Sequence, residues 1–284
     1  MLSAISQYTT LVTTSGAQLC EIPANQFGEI IGTHLVRRMQ ICLEGDGRSP
    51  VVALPTGSTP LGVYQWWRDH PKVFEWSRAN YVHLDEYVGA AQSDPGSYAY
   101  LLSREIFSPL LGDDRSPWRN VHLFNGTRDP QVEIADQDRF IRDHGGLDIA
   151  FLGIGAGPQW AHYRWYRWLG RESASLLASL EASVHIGFNE TGTPFDSRTH
   201  VTPLHPKTRS RNGVDFSQAI TMGLETILGA REIVLAAKGR DKRSAIDLTF
   251  NQAVTERIPA SILQRGGAHV TVFVDPEANP FKRR

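Results

Sequence analysis

The sequence predicts an α/β fold, in which a doubly wound, mostly parallel sheet carries helices on both faces (Rossmann-like). Short β-branched runs alternate with longer segments of helical period, which is the pattern of parallel strands joined by crossover helices. The strands are expected at Pro50–Leu54, Tyr81–Leu84, Val121–Phe124, Asp148–Gly153, Glu232–Ala236 and His269–Val274. The helices are expected at Gln26–Glu44, Pro60–Asp69, Gly96–Phe107, Gln131–Asp143, Phe216–Leu228 and Lys242–Thr249. The first helix shows the apolar stripe expected of its type, formed by Ile30, Ile31, Leu35 and Met39.

The length leaves one or two domains open, and the composition is that of a globular protein; we expect a single domain over residues 1–284. The 284 residues are 41% hydrophobic and 21% charged, and their 25 Gly and 16 Pro follow no repeat. This composition excludes a disordered, collagenous or coiled-coil chain. The net charge of -1 provides no general field for nucleic acid or an anionic membrane, so neither is expected as a partner. An anionic ligand must therefore be held by local groups.

The cysteines and the hydropathy pattern predict no metal centre and no membrane segment. Cys20 and Cys42 form no disulfide framework and no C-x-x-C spacing. The N-terminus lacks a basic start followed by an apolar core, and no apolar stretch approaches the ~18 residues of a membrane helix. We therefore expect a cytoplasmic protein.

One stretch, 157–184, differs from the rest of the domain and is predicted to be an insertion within it. Trp160, Trp165 and Trp168 lie among basic residues and precede a run of small residues. Aromatic and basic residues together could stack on nucleic-acid bases. The neutral net charge favours the alternative, an amphipathic segment whose aromatics pack against the parent domain or a partner subunit.

The segment LPTGSTP, at 54–60, is a candidate phosphate loop because it joins an apolar strand to a helix. In such a sheet, ligands bind beyond the carboxyl ends of the strands. Gly57 lets the backbone approach an anion, while Ser58 and Thr59 offer hydroxyl and N–H groups at the positive end of the helix dipole. Neither G-K-[ST] nor G-x-G-x-x-G is present here, so nucleotide binding is not indicated. The alternative is a plain turn in which Ser or Thr caps the helix.

The segment HLDEYVG, at 83–89, brings acidic residues to the end of the second predicted strand. A partly desolvated Asp85 carboxylate could keep a pKa suited to taking a proton from a carbon next to a carbonyl. The alternative is that Asp85 and Glu86 are both solvated at the surface.

Two further segments carry candidate groups. In HIGFNE, at 185–190, His185 could shuttle a proton to a sugar ring oxygen and Glu190 could orient it. In GRDK, at 239–242, the Lys242 ammonium follows a strand and would lie over the same sheet edge. The alternatives are a structural histidine and an exposed helix start.

These segments, in this order, resemble those of the glucosamine-6-phosphate deaminase (isomerase) family, which shares its fold with the 6-phosphogluconolactonases. The matching motifs are LPTGSTPLGVY, HLDEYVG, Ser97-Tyr98, FLGIG, HIGFNETGTPFDSRT, ITMGLETIL and VTERIPASIL, and they span nearly the whole chain outside 157–184. The resemblance implies conversion of glucosamine 6-phosphate and water into fructose 6-phosphate and ammonia by acid–base catalysis. It implies a small sugar phosphate as the ligand, with no metal and no organic cofactor.

The resemblance also implies a role for each candidate residue. Asp85 corresponds to the carboxylate that moves a proton between C2 and C1 of the opened sugar. His185 corresponds to the ring-opening histidine, and Glu190 to the carboxylate that tunes it. The implied phosphate-binding residues are Gly57, Ser58, Thr59, Lys242, Arg209 and Arg211.

The sequence departs from the family pattern on both sides of this site. The family reads L-G-I-G-x-D-G-H-I-x-F-N-E without interruption, whereas here 157–184 intervenes and Ser183-Val184 replaces Asp-Gly. Losing the carboxylate partner of His185 would remove a charge-assisted hydrogen bond of ~1.5–3 kcal/mol, which costs roughly one to two decades in rate. The Arg usually found soon after T-R-x-x-N is also missing, so Arg209 or Arg211 would have to bind the phosphate.

Two alternative functions stay open at this point. A 6-phosphogluconolactonase-like hydrolase would use a carboxylate or histidine to activate water against a lactone, but HLDEYVG tells against it. A catalytically impaired homologue would bind the sugar phosphate without turning it over, and Ser183 favours that alternative. A homo-oligomer is also possible, with 157–184 as an interface.

Overall fold

The fold is an α/β arrangement built on one large sheet. The computed structural model describes residues 8–45, 47–113, 118–157 and 184–281, apart from the side chains of Thr9, Lys207 and Arg211. Its strands are β1 (Thr9–Val12), β2 (Gln18–Glu21), β3 (Val51–Leu54), β4 (Asn80–His83), β5 (Asp85–Tyr87), β6 (Val121–His122), β7 (Ile149–Leu152), β8 (His200–Pro203), β9 (Gln218–Thr221), β10 (Glu232–Ala237) and β11 (Val270–Val274).

The helices of the described ranges connect these strands. The α-helices are Phe27–Gly45, Ser58–Asp69, Tyr98–Leu102, Ser108–Leu111, Pro130–Asp143, Pro206–Asn212, Leu224–Leu228 and Arg243–Asn251. Shorter 3-10 segments are Pro71–Val73, Trp76–Arg78, Arg240–Lys242 and Pro259–His269, and Ser103–Phe107 is a π-helical turn. No helix in these ranges is both long enough and apolar enough to cross a membrane.

The large sheet has the strand order β1-β2-β11-β10-β7-β3-β4-β6. All its neighbours are parallel except β1 and β2, which pair antiparallel at one edge. This confirms the predicted fold class, and all six predicted strands are present with ends shifted by at most two residues. The predicted insertion, 157–184, lies outside the described residues except for Gly157 and Val184.

Strand β3 shows how the sheet separates two hydrophobic cores. Its successive side chains point to opposite faces, so Val51 and Ala53 join one core cluster while Val52 and Leu54 join the other. On the second face, the helix Phe27–Gly45 packs closely against the helix Ser58–Asp69. A Cβ at Gly28 would lie 2.2 Å from the Gly62 carbonyl oxygen, so glycine permits this close approach.

A smaller antiparallel sheet, β5-β9-β8, corrects one sequence prediction. The segment 216–228 was expected to be helical throughout, but it forms β9 and then a helix that begins only at Leu224. Strand β9 pairs with β5 on one side and β8 on the other, so its apolar residues are buried by pairing. A short buried apolar run carries no periodicity that separates strand from helix.

Candidate active site

Several of the predicted site residues follow neighbouring parallel strands of the set β10, β7, β3 and β4, whose carboxyl ends share one edge of the sheet. The 55–57 loop follows β3, Asp85 follows β4, Gly155 follows β7, and Lys242 follows β10. Ligands bind at this edge in open α/β sheets.

Asp85 is the first residue of β5 and only 6% exposed, so the surface alternative for the Asp-Glu pair is wrong. Burial raises the pKa of the Asp85 carboxyl to about 8, and the charge of Glu86 adds to the shift. The free protein therefore holds a carboxyl that exchanges a proton near neutral pH, as a general acid–base group requires.

The 185–190 segment packs directly against Asp85. The Phe188 N–H donates to Thr221 Oγ1 at 3.0 Å, and Thr221 is the cross-strand partner of Asp85. Gly187 has a φ of 57° in the left-handed region, and a Cβ there would lie 3.6 Å from Asp85 Oδ2. Residues a hundred positions apart in sequence thus line one site.

His185 lies at the start of this segment, over the loop that follows β7. Its backbone oxygen accepts the Gly155 N–H at 2.8 Å. A Cβ at Gly155 would lie 2.8 to 2.9 Å from the His185 ring atoms Cε1, Nδ1 and Nε2. The half-buried imidazole therefore packs on a bare glycine backbone, which fixes its position at the sheet edge.

Glu190 connects this segment to the helix Pro206–Asn212. Glu190 Oε1 accepts the Thr208 hydroxyl at 2.5 Å. Arg209 follows in the same helix, and its guanidinium donates to the Asp215 carbonyl at 3.2 Å. The structure does not describe the side chain of Arg211, so the choice between the two arginines as phosphate ligands stays a prediction.

The candidate phosphate loop has the backbone expected of an anion site. Gly57 has a φ of 97° and caps the twelve-residue helix Ser58–Asp69 without a side-chain hydrogen bond. A Cβ at Gly57 would meet no atom within 4 Å, so the space beside the helix N-terminus is open. Ser58 is exposed and Thr59 half-buried, which leaves their hydroxyls accessible to a ligand.

Lys242 ends the 3-10 turn that follows β10, with a side chain 17% exposed. Its Nζ lies 3.6 Å from Asp241 Oδ2. Two strand positions, β7 and β3, separate β10 from β4 in the sheet, so Lys242 reaches the edge from the side opposite Asp85.

The sequence does not predict a role for one further cluster of polar side chains, formed by the hydroxyls of Tyr87 and Tyr98 and the amide of Asn212. The Tyr98 hydroxyl bonds the Tyr87 hydroxyl at 2.8 Å, and the side chain of Thr56 in the phosphate loop lies beside it. Asn212 Nδ2 donates to Tyr87 at 2.9 Å and to Tyr98 at 3.4 Å. The matching motifs contain Thr56, Tyr87 and Tyr98 without giving them a role, because tyrosines spaced by a loop carry no pattern of their own.

The described residues include no group of three or more His, Cys, Asp or Glu side chains able to hold a metal ion. The chemistry that the site residues can supply is proton transfer and anion binding.

Comparison with known proteins identifies the family. The chain is 37% identical over 225 residues to a glucosamine-6-phosphate deaminase of Oceanobacillus iheyensis, covering 76% of this chain and 78% of that protein. A second relative, the glucosamine-6-phosphate deaminase of Streptococcus gordonii, is 35% identical over 235 residues, covering 80% and 85%.

The chain belongs to the glucosamine-6-phosphate deaminase family. Among solved structures, it resembles a monomeric glucosamine-6-phosphate deaminase of the NagB superfamily, with a TM-score of 0.72, 27% identity and coverage of 92% and 98%. A 6-phosphogluconolactonase from Thermotoga maritima shares the fold at 19% identity and a TM-score of 0.64, covering 90% and 97%. No family model matches the chain.

Proposed function

We propose that this member of the glucosamine-6-phosphate deaminase family converts glucosamine 6-phosphate and water into fructose 6-phosphate and ammonia. The observation that carries the proposal is the contact between the Asp85 carboxyl and the 185–190 segment at the carboxyl edge of the sheet. Aldose–ketose isomerisation followed by loss of the amine needs acid–base groups within reach of one bound sugar, and this edge supplies them.

Asp85 is proposed to move the proton between C2 and C1 of the opened sugar. Removing a proton next to a carbonyl and returning it to the neighbouring carbon requires one group that both accepts and donates. A carboxyl whose pKa is raised to about 8, first by burial and then by Glu86, does both near neutral pH. A solvated carboxylate would be a weaker base.

His185 is proposed to open the sugar ring by passing a proton to the ring oxygen, with Glu190 tuning it. The half-buried imidazole packs on the loop that follows β7. Because that loop lies at the carboxyl edge of the sheet, this position supports contact with a sugar bound there. The sequence has Ser183 where the family has Asp, so the group that holds the imidazolium must come from another position of the chain.

The phosphate of the substrate is proposed to bind at the N-terminus of the helix Ser58–Asp69. Gly57 leaves the approach open, and the first N–H groups of the helix, together with Ser58 and Thr59, offer donors. Lys242, with Arg209 or Arg211, supplies the positive charge.

Hydrolase chemistry, a cytoplasmic location and a homo-oligomer belong to this proposal as predictions from the sequence. The solved relative described above is monomeric. A lactonase activity has less support, because the likeness to 6-phosphogluconolactonases is below 20% identity and carries the fold alone.

The test is ammonia release from glucosamine 6-phosphate by the wild type and by Asp85→Asn. The substitution keeps the size of the side chain and removes the proton exchange, so the rate should fall by about 10²–10⁴-fold with unchanged circular dichroism. Asp69→Asn, an exposed carboxylate at the end of the helix Ser58–Asp69, is the control and should keep wild-type turnover. Binding of the substrate by the wild type without ammonia release, or turnover of a lactone instead, would contradict the proposal.

A further inference from the structure

Glu86 is a buried carboxyl beside Asp85 that the proposed chemistry does not use. Its side chain is 0% exposed and accepts three backbone N–H groups. Oε1 accepts from Tyr87 at 2.9 Å and from Tyr98 at 3.1 Å, and Oε2 accepts from Ala99 at 2.8 Å. So many donors on one carboxylate fix it rigidly and favour its ionised form.

Two of these N–H groups begin the helix Tyr98–Leu102. The first N–H groups of a helix have no partner within it, so they need an acceptor from elsewhere. Ser97 Oγ takes the Tyr100 N–H at 2.9 Å, and Glu86 takes those of Tyr98 and Ala99. Beyond Leu102 the helix continues through the π-helical turn Ser103–Phe107, so Glu86 and Ser97 together satisfy the first turn of a longer helical stretch.

The side chain of Tyr98 reaches three segments of the proposed site. Its hydroxyl lies beside the side chain of Thr56 in the phosphate loop and 3.4 Å from Asn212 Nδ2 in the helix Pro206–Asn212. Its ring stacks on Phe188, with the centroids 5.8 Å apart and the planes at 15°. A shift of the Tyr98 backbone would therefore disturb the phosphate loop and the 185–190 segment together.

We infer that Glu86 is a positioning residue for the proposed deaminase reaction: it holds the start of the helix Tyr98–Leu102, and through Tyr98 it sets the phosphate loop and the 185–190 segment around Asp85. The inference rests on the proposed function for the reaction it serves. Glu86 itself touches no reacting atom in this arrangement, because its oxygens face backbone N–H groups.

Glu86 also acts on Asp85 through its charge. Burial is the main cause of the raised Asp85 pKa, and the Glu86 carboxylate raises it further. Burial raises the pKa of Glu86 itself to about 7, and the charge of Asp94, on the loop before the helix, adds to this rise. The three backbone N–H groups work in the other direction and lower it.

The remaining titratable groups facing Glu86 are neutral near pH 7. His83 Nε2 lies 4.0 Å from Glu86 Oε2, and burial, followed by the charge of His122, lowers the pKa of His83 to about 3. Burial raises the pKa values of Tyr87 and Tyr98. Within the described residues, Glu86 is the group whose charge raises the Asp85 pKa in addition to burial.

The test compares Glu86→Gln with the wild type in ammonia release over a range of pH. The glutamine side-chain oxygen can still accept the N–H groups of Tyr87 and Tyr98. The amide NH2, however, would meet the Ala99 N–H, so two donors would face each other and that hydrogen bond would be lost. We expect kcat to fall about tenfold or more through misplacement, and KM to rise because the phosphate loop is disturbed. We also expect the acid limb of kcat/KM to move to lower pH, since the charge that raises the Asp85 pKa is gone.

Ser97→Ala is the matched control, because it removes the other cap of the same helix and leaves Glu86 in place. It should lower the melting temperature while the acid limb stays at the wild-type pH. Tyr98→Phe tests whether Glu86 acts through the Tyr98 hydroxyl, and it replaces Glu86→Gln as the test variant if Glu86→Gln fails to fold. It should raise KM, and its effect should be less than additive with that of Glu86→Gln.

A binding measurement separates this inference from the proposed function. Inorganic phosphate titrated into wild type should bind more weakly to Glu86→Gln and to Tyr98→Phe than to Ser97→Ala. That result supports the inference even if wild type releases no ammonia, in which case the proposed function alone is wrong. The inference would be overturned if Glu86→Gln kept the wild-type kinetic constants, the wild-type acid limb of kcat/KM and the wild-type phosphate affinity. It would also be overturned if Tyr98→Phe kept the wild-type KM and phosphate affinity.

Discussion

Burial decides what each carboxyl in the HLDEYVG segment can do. In water, Asp85 and Glu86 would both be ionised near neutral pH and chemically alike. In the folded chain, Asp85 faces the 185–190 segment, whereas Glu86 faces three backbone N–H groups. Two adjacent residues of the same charge therefore take different roles, one proposed to exchange protons and the other to hold structure.

The position of His185 depends on the missing side chain of Gly155. A Cβ at Gly155 would lie 2.8 Å from the imidazole, so Gly155→Ala must move the ring or the backbone. We expect ammonia release to fall by about a hundredfold, because small displacements of a catalytic group cost that much. Steady-state kinetics of the purified variant measure the loss.

Gly153→Ala is the control for this substitution. It lies on the same loop, and a Cβ there would meet no atom within 4 Å. It should therefore keep wild-type turnover. Equal activity in both variants would show that the contact with Gly155 does not determine where the His185 ring lies.

At the residue scale, the sequence pointed to the proposed reactive residues but not to the residues that support them. Asp85 is expected at the sheet edge because it follows an apolar strand, and His185 because its motif matches the family, and their segments meet in the structure. The capping role of Glu86 could not be predicted, because it depends on a backbone twelve residues away along the chain. Thr221 was equally hidden, since the segment that contains it was expected to be helical.

At the scale of elements, the six parallel strands from β3 onward were predictable, whereas the edge strands β1 and β2 and the small sheet were not. The central strands β3, β7 and β10 are buried on both faces, so each appears in the sequence as a short apolar run between turns. Strands β5 and β8 contain charged or polar residues and proline, which gives them no such run. Their pairing with β9 becomes apparent only in three dimensions, although this small sheet is what carries Asp85.

The link between the small sheet and the 185–190 segment is the Thr221 hydroxyl on β9. It accepts the Phe188 N–H at 3.0 Å and is completely buried. Thr221→Val keeps the shape but leaves that N–H without an acceptor, which should cost about 1–3 kcal/mol of stability. Because Phe188 follows Gly187 beside Asp85, ammonia release should fall as well, by about tenfold.

Thr221→Ser retains the oxygen and should restore most of both quantities. Chemical denaturation and ammonia release measure stability and turnover in the same preparations. If Thr221→Ser were as impaired as Thr221→Val, the methyl group and its packing, rather than the hydrogen bond, would be what holds the segment.

At the scale of the whole molecule, the two edges of the large sheet use carboxyls in opposite ways. At the amino edge, buried Asp148 accepts from Arg48 Nη1 at 2.7 Å, from Arg231 Nη1 at 2.6 Å and from the Val51 N–H at 2.8 Å. At the carboxyl edge, burial raises the pKa of Asp85, and the charge of Glu86 raises it further. Stability is concentrated at one edge and proposed reactivity at the other.

This arrangement predicts that the protein loses stability as pH rises from about 6.5 to 8. In that range the folded Asp85, with a pKa of about 8, binds more protons than in the unfolded chain, where its pKa is near 3.8. Glu86, with a pKa raised to about 7, adds to the effect at the lower end of the range. The free energy of unfolding should therefore fall with pH, by at most about 1.4 kcal/mol per unit for each group. The lowered pKa of His83 has the opposite effect, but only below its unfolded value of 6.5.

Urea denaturation at several pH values between 6.5 and 8 tests this expectation on the wild type and on Asp85→Asn. Because the amide does not titrate, Asp85→Asn should lose much of the slope and should be more stable than wild type at pH 8. Asp69→Asn removes an exposed carboxylate and should follow the wild-type slope. A wild-type stability that stays level or rises over this range would mean that Asp85 is ionised in the folded protein, and the proton exchange proposed for it would need another group.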